Sequence, residues 1–290
     1  MGIFDEINFW KLNTFLDELN PTQLEAVKHI DGPLMVIAGA GSGKTRVLTY
    51  RIAHLLNNGV DSFNILALTF TNKASKEMKV RIGNLIGGSE ANNLWMGTFH
   101  SVFSKILRFE AEKINYPKNF TIYDSADSKN LIKALVKEMN LDKDVYKPGV
   151  VLGRISSLKN GLVSVNGYKS SAVLQSEDSS RKMTEFSQLY ANYQKRLFSS
   201  GSMDFDDLLF NTYTLLRDFP DVLNKYQNKF KYILVDEYQD TNHVQYMIIK
   251  RLAAMFENIC VVGDDAQSIY AFRGANIQNI FNFEKDYPDF

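Results

Sequence analysis

The sequence predicts an α/β protein: a parallel sheet flanked by helices, with an all-helical subdomain inserted into it. Three observations predict this. Five short apolar runs (34–37, 65–70, 94–96, 232–235 and 259–262) are separated by helical patterns, which marks strands buried on both faces. The first run passes into a glycine-rich turn and then a helix. From Lys113 to Gly201 the pattern is helical, with no buried strand between the helices.

The whole-chain figures are compatible with that class. The 290 residues are enough for about two domains, and 45% hydrophobic with 23% charged residues describes an ordinary water-facing globular protein. Lys and Arg (33) balance Asp and Glu (33), so any nucleic-acid surface is a local patch and not a global excess. The single cysteine, Cys260, lies within an apolar run and excludes a disulfide framework within the chain. No run approaches a membrane span, and Met1–Glu6 lacks the basic-then-apolar order of a signal peptide. The expected location is cytoplasmic.

In order, residues 1–18 form a mixed leader with apolar positions Phe9, Trp10, Leu12 and Phe15, whose role the sequence leaves open. Asn20 then caps a helix whose first position suits Pro21. By residue type alone Gln23 is a surface glutamine. The run Leu34–Ile37 leads into Ala38, Gly39, Ala40, Gly41, Ser42 and Gly43, followed by Lys44 and Thr45 opening a helix. Backbone N–H groups of such a loop, together with the positive end of the helix, suit a phosphate. Lys44 can reach β- and γ-phosphate oxygens, and the Thr45 hydroxyl suits Mg²⁺. Ala38 stands where the usual pattern has its first glycine. Leu48, Ile52, Leu55 and Leu56 give the helix one apolar face, and Asn57-Asn58-Gly59 stops it.

Ligands of a parallel sheet sit beyond the carboxyl ends of its strands. Chemistry-bearing residues follow each predicted strand: the glycine-rich loop, Thr71-Asn72-Lys73, Gly97-Thr98-Phe99-His100, Asp236-Glu237, and Gly263-Asp264. Two adjacent acids at the end of an apolar strand call for a cation or a reaction. Asp236 suits a Mg²⁺ complex, and Glu237 suits positioning and deprotonating a water. In the helical region, Leu131, Ile132, Leu135, Val136 and Met139 form one apolar stripe and Phe186, Leu189, Tyr190, Tyr193 and Leu197 another. A weaker helix follows Pro148, and the Ser-rich tract from Ser170 to Arg181 reads as a surface loop. The four histidines are scattered without spaced cysteines, so no zinc site is expected. Asp206 and Asp207 read as acids favouring a helix dipole, without a catalytic role.

Seven motifs occur in a characteristic order: Leu19 to Gln23, Ala38 to Arg46, Thr69 to Ala74, Gly97 to Ser101, Phe205 to Leu208, Asp236 to Asn242, and Gly263 to Ala275. In this the chain resembles the UvrD/Rep/PcrA-like superfamily 1 DNA helicases. The resemblance implies a P-loop NTPase of the RecA-like type spanning residues 1–112 and 202–290, with 113–201 as the helical 1B subdomain. It implies ATP and Mg²⁺ as cofactors, with Gln23 reading adenine and Arg46 near the nucleotide. Lys44, Asp236 and Glu237 keep the roles argued above, and Gln267 senses the γ-phosphate. Phe70, Asn72, Thr98, His100, Tyr270, Phe272 and Arg273 would lie along single-stranded DNA, where aromatic rings can stack on bases of any sequence. By spacing alone Tyr270 and Phe272 read as core aromatics; the family pattern reassigns them. Phe272 stands where well-known members carry Trp. Partners implied are single-stranded DNA, single-strand/duplex junctions and a second RecA-like domain with two phosphate-contacting arginines, and no membrane. The expectation is an N-terminal, poorly active portion of a 3′–5′ helicase serving DNA repair or replication. A RecB/AddA-type helicase–nuclease motor and a non-catalytic nucleotide- or DNA-binding module are the alternatives.

Overall fold

The structure, a computed structural model, describes residues 14–39, 41–86, 90–264 and 278–288. In chain order the first elements are α1 (Pro21–Lys28), β1 (Leu34–Ile37), α2 (Lys44–Asn57), β2 (Ile65–Thr69), α3 (Asn72–Ile86), α4 (Glu90–Asn93), β3 (Trp95–Thr98) and α5 (Phe99–Glu110). Next come β4 (Thr121–Tyr123), α6 (Ser125–Glu138), α7 (Pro148–Asn160), α8 (Val165–Lys169), α9 (Ala172–Ser180), α10 (Phe186–Ser199) and β5 (Ser202–Asp204). The last are α11 (Phe205–Asp218), α12 (Pro220–Lys229), β6 (Tyr232–Val235), α13 (His243–Ala253), β7 (Ile259–Gly263) and α14 (Gln278–Asp286). The chain divides into two units: one holds the residues up to Val102, Asp221–Thr241 and Ile249 onward, the other Phe103–Pro220 and Asn242–Ile248.

In the first unit all five predicted strands pair in parallel, in the order β1-β7-β6-β2-β3. Every residue of β2 and β7 is buried, as continuous apolar runs require. Leu48, Ile52 and Leu55 of α2 join Met78 and Ile82 of α3 in one cluster with Leu234, Cys260 and Val262. Cys260 is a buried core thiol, pushed up to about 11 by burial and therefore unreactive.

The helix α1 begins with a capping box. The Asn20 side chain accepts the Gln23 N–H at 2.9 Å, and Gln23 Oε1 accepts the Asn20 N–H at 3.3 Å. Its other end is fixed by Arg51, which is 2% exposed. The guanidinium donates to the carbonyls of Ala26 and Ile30, each at 2.9 Å, and of His29. One side chain of α2 thus satisfies carbonyls that the end of α1 leaves open. Phe15, Leu16 and Leu19 are buried against Val27, Val47 and Ala53, so the end of the leader is packing structure.

The second unit is built on the two predicted stripes. Ile132, Leu135 and Val136 of α6 and Phe186, Leu189, Tyr190, Tyr193 and Leu197 of α10 lie in one buried cluster. Two expectations are corrected here. The region contains a strand, β4, which pairs in parallel with β5 through Thr121↔Ser202, Ile122↔Met203 and Tyr123↔Asp204. Three residues with two exposed side chains leave no apolar run to read. The tract Ser170–Arg181 is mostly helix, α9, and not a surface loop. Its anchor is polar: Asp178 is fully buried, accepting from Arg154 Nε at 3.0 Å and the Tyr168 hydroxyl at 2.8 Å.

Asp204 and Asp207 form a capping box at the start of α11. Both also bind the buried ammonium of Lys159, at 2.7 and 2.8 Å. Two carboxylates sharing one cation separate in affinity for protons: Lys159 holds Asp204 below the usual range, while burial beside Asp204 pushes Asp207 up to about 6. Lys159→Met should leave two buried acids without their cation. Chemical denaturation should show this unit destabilised by roughly 3–5 kcal/mol; an unchanged midpoint would mean the triad contributes nothing.

Candidate functional site

The strand ends of the first unit gather the predicted phosphate and acid residues. Ala38 leaves β1 with its N–H on the Gly263 carbonyl at 3.0 Å, one step beyond the Ile37↔Gly263 register pair. Positive φ angles occur at Gly41 (79°) and Gly43 (91°), but not at Ala38. The first glycine of the usual pattern is therefore replaceable here at no conformational cost. A side chain at Gly43 would start 2.8 Å from Gln23 Nε2, because the Gln23 amide donates to the Ser42 carbonyl at 3.0 Å. Residue 23 thus braces the loop from α1. Gly39 and Ser42 complete the turn, with the Ser42 hydroxyl on the Gly39 carbonyl at 2.7 Å. Ala40 lies outside the described residues.

Lys44 opens α2. Its ammonium donates to the Ala38 carbonyl at 2.8 Å and pairs with Asp264 Oδ2 at 3.0 Å. The Lys44 side chain is 10% exposed and that of Asp264 2%. Thr45 Oγ1 lies 3.5 Å from Asp236 Oδ2 and donates to it. Burial, with the Glu237 charge adding to it, pushes Asp236 up to about 6. A buried carboxylate that resists ionisation beside a hydroxyl is a pair of hard oxygen donors short of positive charge, which fits a Mg²⁺ ion. Glu237 turns the chain at φ 48°, ψ 47°, its N–H on Asp236 Oδ1 at 3.1 Å. Arg46 pairs with Glu18 at 2.9 Å, and its guanidinium lies 5.1 Å from the Tyr50 ring centre.

The residues expected along DNA fall in two groups. Phe70, Asn72, Thr98 and His100 stand just beyond or at the ends of the neighbouring strands β2 and β3, whose register ends at Thr69↔Thr98. The half-buried Phe70 ring packs at 5.5 Å against Phe99, and Thr98 Oγ1 accepts the Ser101 N–H at 3.3 Å. Gln267, Tyr270, Phe272 and Arg273 lie outside the described residues. Two contacts were not foreseen: Asp264 as the partner of Lys44, and Gln239 bonded to both Glu237 and the Asp264 backbone. Both residues lie within the strand-end motifs, but nothing in the sequence pairs them with these partners.

A parallel sheet, a glycine loop carrying Lys44 and Thr45, and an acid pair ending β6 define a nucleotide-binding P-loop protein. The chain belongs to the UvrD/REP helicase N-terminal domain family, whose model matches residues 19–288. It is 50% identical over 279 residues to the ATP-dependent DNA helicase PcrA of Staphylococcus aureus. To the ATP-dependent DNA helicase PcrA of Bacillus subtilis it is 50% identical over 285 residues. Each match covers 96% of this chain and 37% of the relative, so the chain spans a little over a third of those proteins. Among the described residues no helix is long and apolar enough to cross a membrane, and no group of three or more His, Cys, Asp or Glu could hold a metal.

Ionised Asp236 opposes folding of the nucleotide-free chain, because its folded-state value of about 6 exceeds the ordinary 3.8. Asp236→Asn should therefore raise Tm at neutral pH in the absence of divalent metal. That advantage should shrink as pH falls from about 6 toward 4, where the wild-type carboxylate takes up its proton. Thermal melts across this range provide the check; an equal or lower Tm for the variant at neutral pH would contradict it.

Proposed function

We propose that this chain is the ATP-binding N-terminal part of an ATP-dependent 3′–5′ DNA helicase, coupling ATP hydrolysis to movement on single-stranded DNA and to unwinding. The observation that carries the reading is the convergence of Lys44, Thr45, Asp236 and Glu237 at the carboxyl ends of β1 and β6. The names of its relatives support it, and they do not favour the helicase–nuclease alternative.

In this reading Lys44 exchanges its Asp264 partner for β- and γ-phosphate oxygens, while the loop from Ala38 to Gly43 cradles them with backbone N–H groups. Thr45 and Asp236 would hold Mg²⁺, which when bound neutralises charge on the phosphates. Glu237 positions the attacking water and takes its proton. Gln23 reads the adenine edge, Arg46 lies near the nucleotide, and Gln267 senses the γ-phosphate. Phe70, Asn72, Thr98 and His100, with Tyr270, Phe272 and Arg273, line the path of the single strand. Residues 1–112 and 202–290 act as the first RecA-like domain, and 113–201 as the helical 1B subdomain. A second RecA-like domain closes on the nucleotide and supplies the arginines, worth ~10³–10⁵ in rate. Single-strand/duplex junctions are the substrate, in DNA repair or replication in the cytoplasm.

Calorimetry with Mg-ATP and hydrolysis assays with and without single-stranded DNA test this. The chain should bind Mg-ATP, and Lys44→Ala should weaken binding by about tenfold or more. Turnover by the chain alone should be low and rise when the second domain is present. Binding indifferent to Lys44 would overturn the reading. Robust turnover by the chain alone would remove the need for arginines from another domain.

A further inference from the structure

The acid pair at the end of β6 leaves one question of geometry: what aims the Glu237 carboxylate. Glu237 has left-handed backbone angles, and its N–H is committed to Asp236. Among the described residues its carboxylate has one hydrogen-bond partner, Gln239, whose Nε2 donates to Oε2 at 2.8 Å. The other end of the same amide is also occupied. Gln239 Oε1 accepts the Asp264 N–H at 3.0 Å, from the same residue whose side chain holds Lys44.

We infer that Gln239 is a positioning residue, holding the Glu237 carboxylate in line with the phosphate site by tying it to the end of β7. The inference rests on the role of Glu237 proposed above. The chemistry specifies the residue type: a donor must face Glu237 and an acceptor must face a backbone N–H, and both must come from one side chain of this length. An amide supplies both. A glutamate would set a like charge against Glu237, and a leucine would leave the Asp264 N–H unsatisfied.

The surroundings leave the amide no other place. Gln239 is 2% exposed, and a Cβ added at Gly263 would start 2.9 Å from its Oε1. The turn that carries it is braced on its far side: Asn279 Nδ2 donates to the Thr241 carbonyl and to its hydroxyl, each at 3.0 Å. The Tyr238 ring meets Phe283 edge-on at 6.2 Å. Glu237 is therefore steered by a side chain that is itself immobilised by the strand end carrying Asp264. The same link places the acid and the counter-ion of Lys44 in one hydrogen-bonded chain.

The test is single-turnover hydrolysis of pre-bound Mg-ATP by this chain with the second RecA-like domain present and single-stranded DNA added, with ATP affinity measured in parallel. Gln239→Leu should slow hydrolysis by about 10- to 100-fold while Kd for ATP stays within about twofold. Gly263→Ala, which crowds the amide and touches no carboxylate, should slow it in the same way. Placed on Glu237→Gln, the Gln239→Leu change should cost nothing further, because the group it positions is already gone. Unchanged hydrolysis in Gln239→Leu would overturn the inference, as would a full multiplicative loss in the double variant or a rate loss matched by lost ATP affinity. Failure of the wild-type chain to bind Mg-ATP at all would instead strike at the functional reading.

Discussion

The hydrogen bond from the Ala38 N–H to the Gly263 carbonyl extends the β1–β7 ladder by one rung past the last paired residues. Beyond that rung the two chains part, one into the glycine loop and one to Asp264. Because the parallel register places both departures at the same height, Lys44 reaches back to the Ala38 carbonyl and to Asp264 together. A one-residue slip would send alternate side chains to the wrong face and separate the pair. The buried β7 residues Cys260, Val261 and Val262 make such a slip expensive, so core packing fixes the site's geometry from below.

The arrangement of charges around Lys44 is consistent with its burial. An ammonium that is 10% exposed would be costly alone, and Asp264 supplies its charge partner. Among the described residues Asp236 has no cation at a comparable distance, and it is the acid of the two pushed up to about 6. Asp264 is spent on holding a lysine, while Asp236 is left in want of positive charge. The geometry separates the counter-ion Asp264 from Asp236, which residue type alone does not.

Much of the sheet was legible because its strands are uninterrupted apolar runs, and a glycine loop between strand and helix has few other uses. The cap of α1 was legible too, as Asn20 and Pro21 are specific to helix starts. What escaped the reading was held by polar contacts between distant residues. The Ser170–Arg181 tract looked like a loop because its helix is anchored by the buried Asp178 and not by an apolar stripe. Asp206 and Asp207 do stand in the first turn of α11, as acids favouring a helix dipole, but Asp207 also binds Lys159, far away in sequence. The strand β4 was too short to leave a pattern. The link from Gln239 to Asp264 crosses between two motifs that a linear reading keeps apart.

The order of the strands has a mechanical consequence. β1, β7 and β6 carry the phosphate loop and the acids, β2 and β3 carry Phe70 and Thr98, and β6 and β2 are hydrogen-bonded neighbours. The Asp236 N–H itself bonds to the Leu68 carbonyl at 3.0 Å, two residues before Phe70. Lateral hydrogen bonds tie each strand tip of the sheet to the next. The acid end of β6 and the aromatic end of β2 are thus joined through a backbone hydrogen bond of the sheet itself.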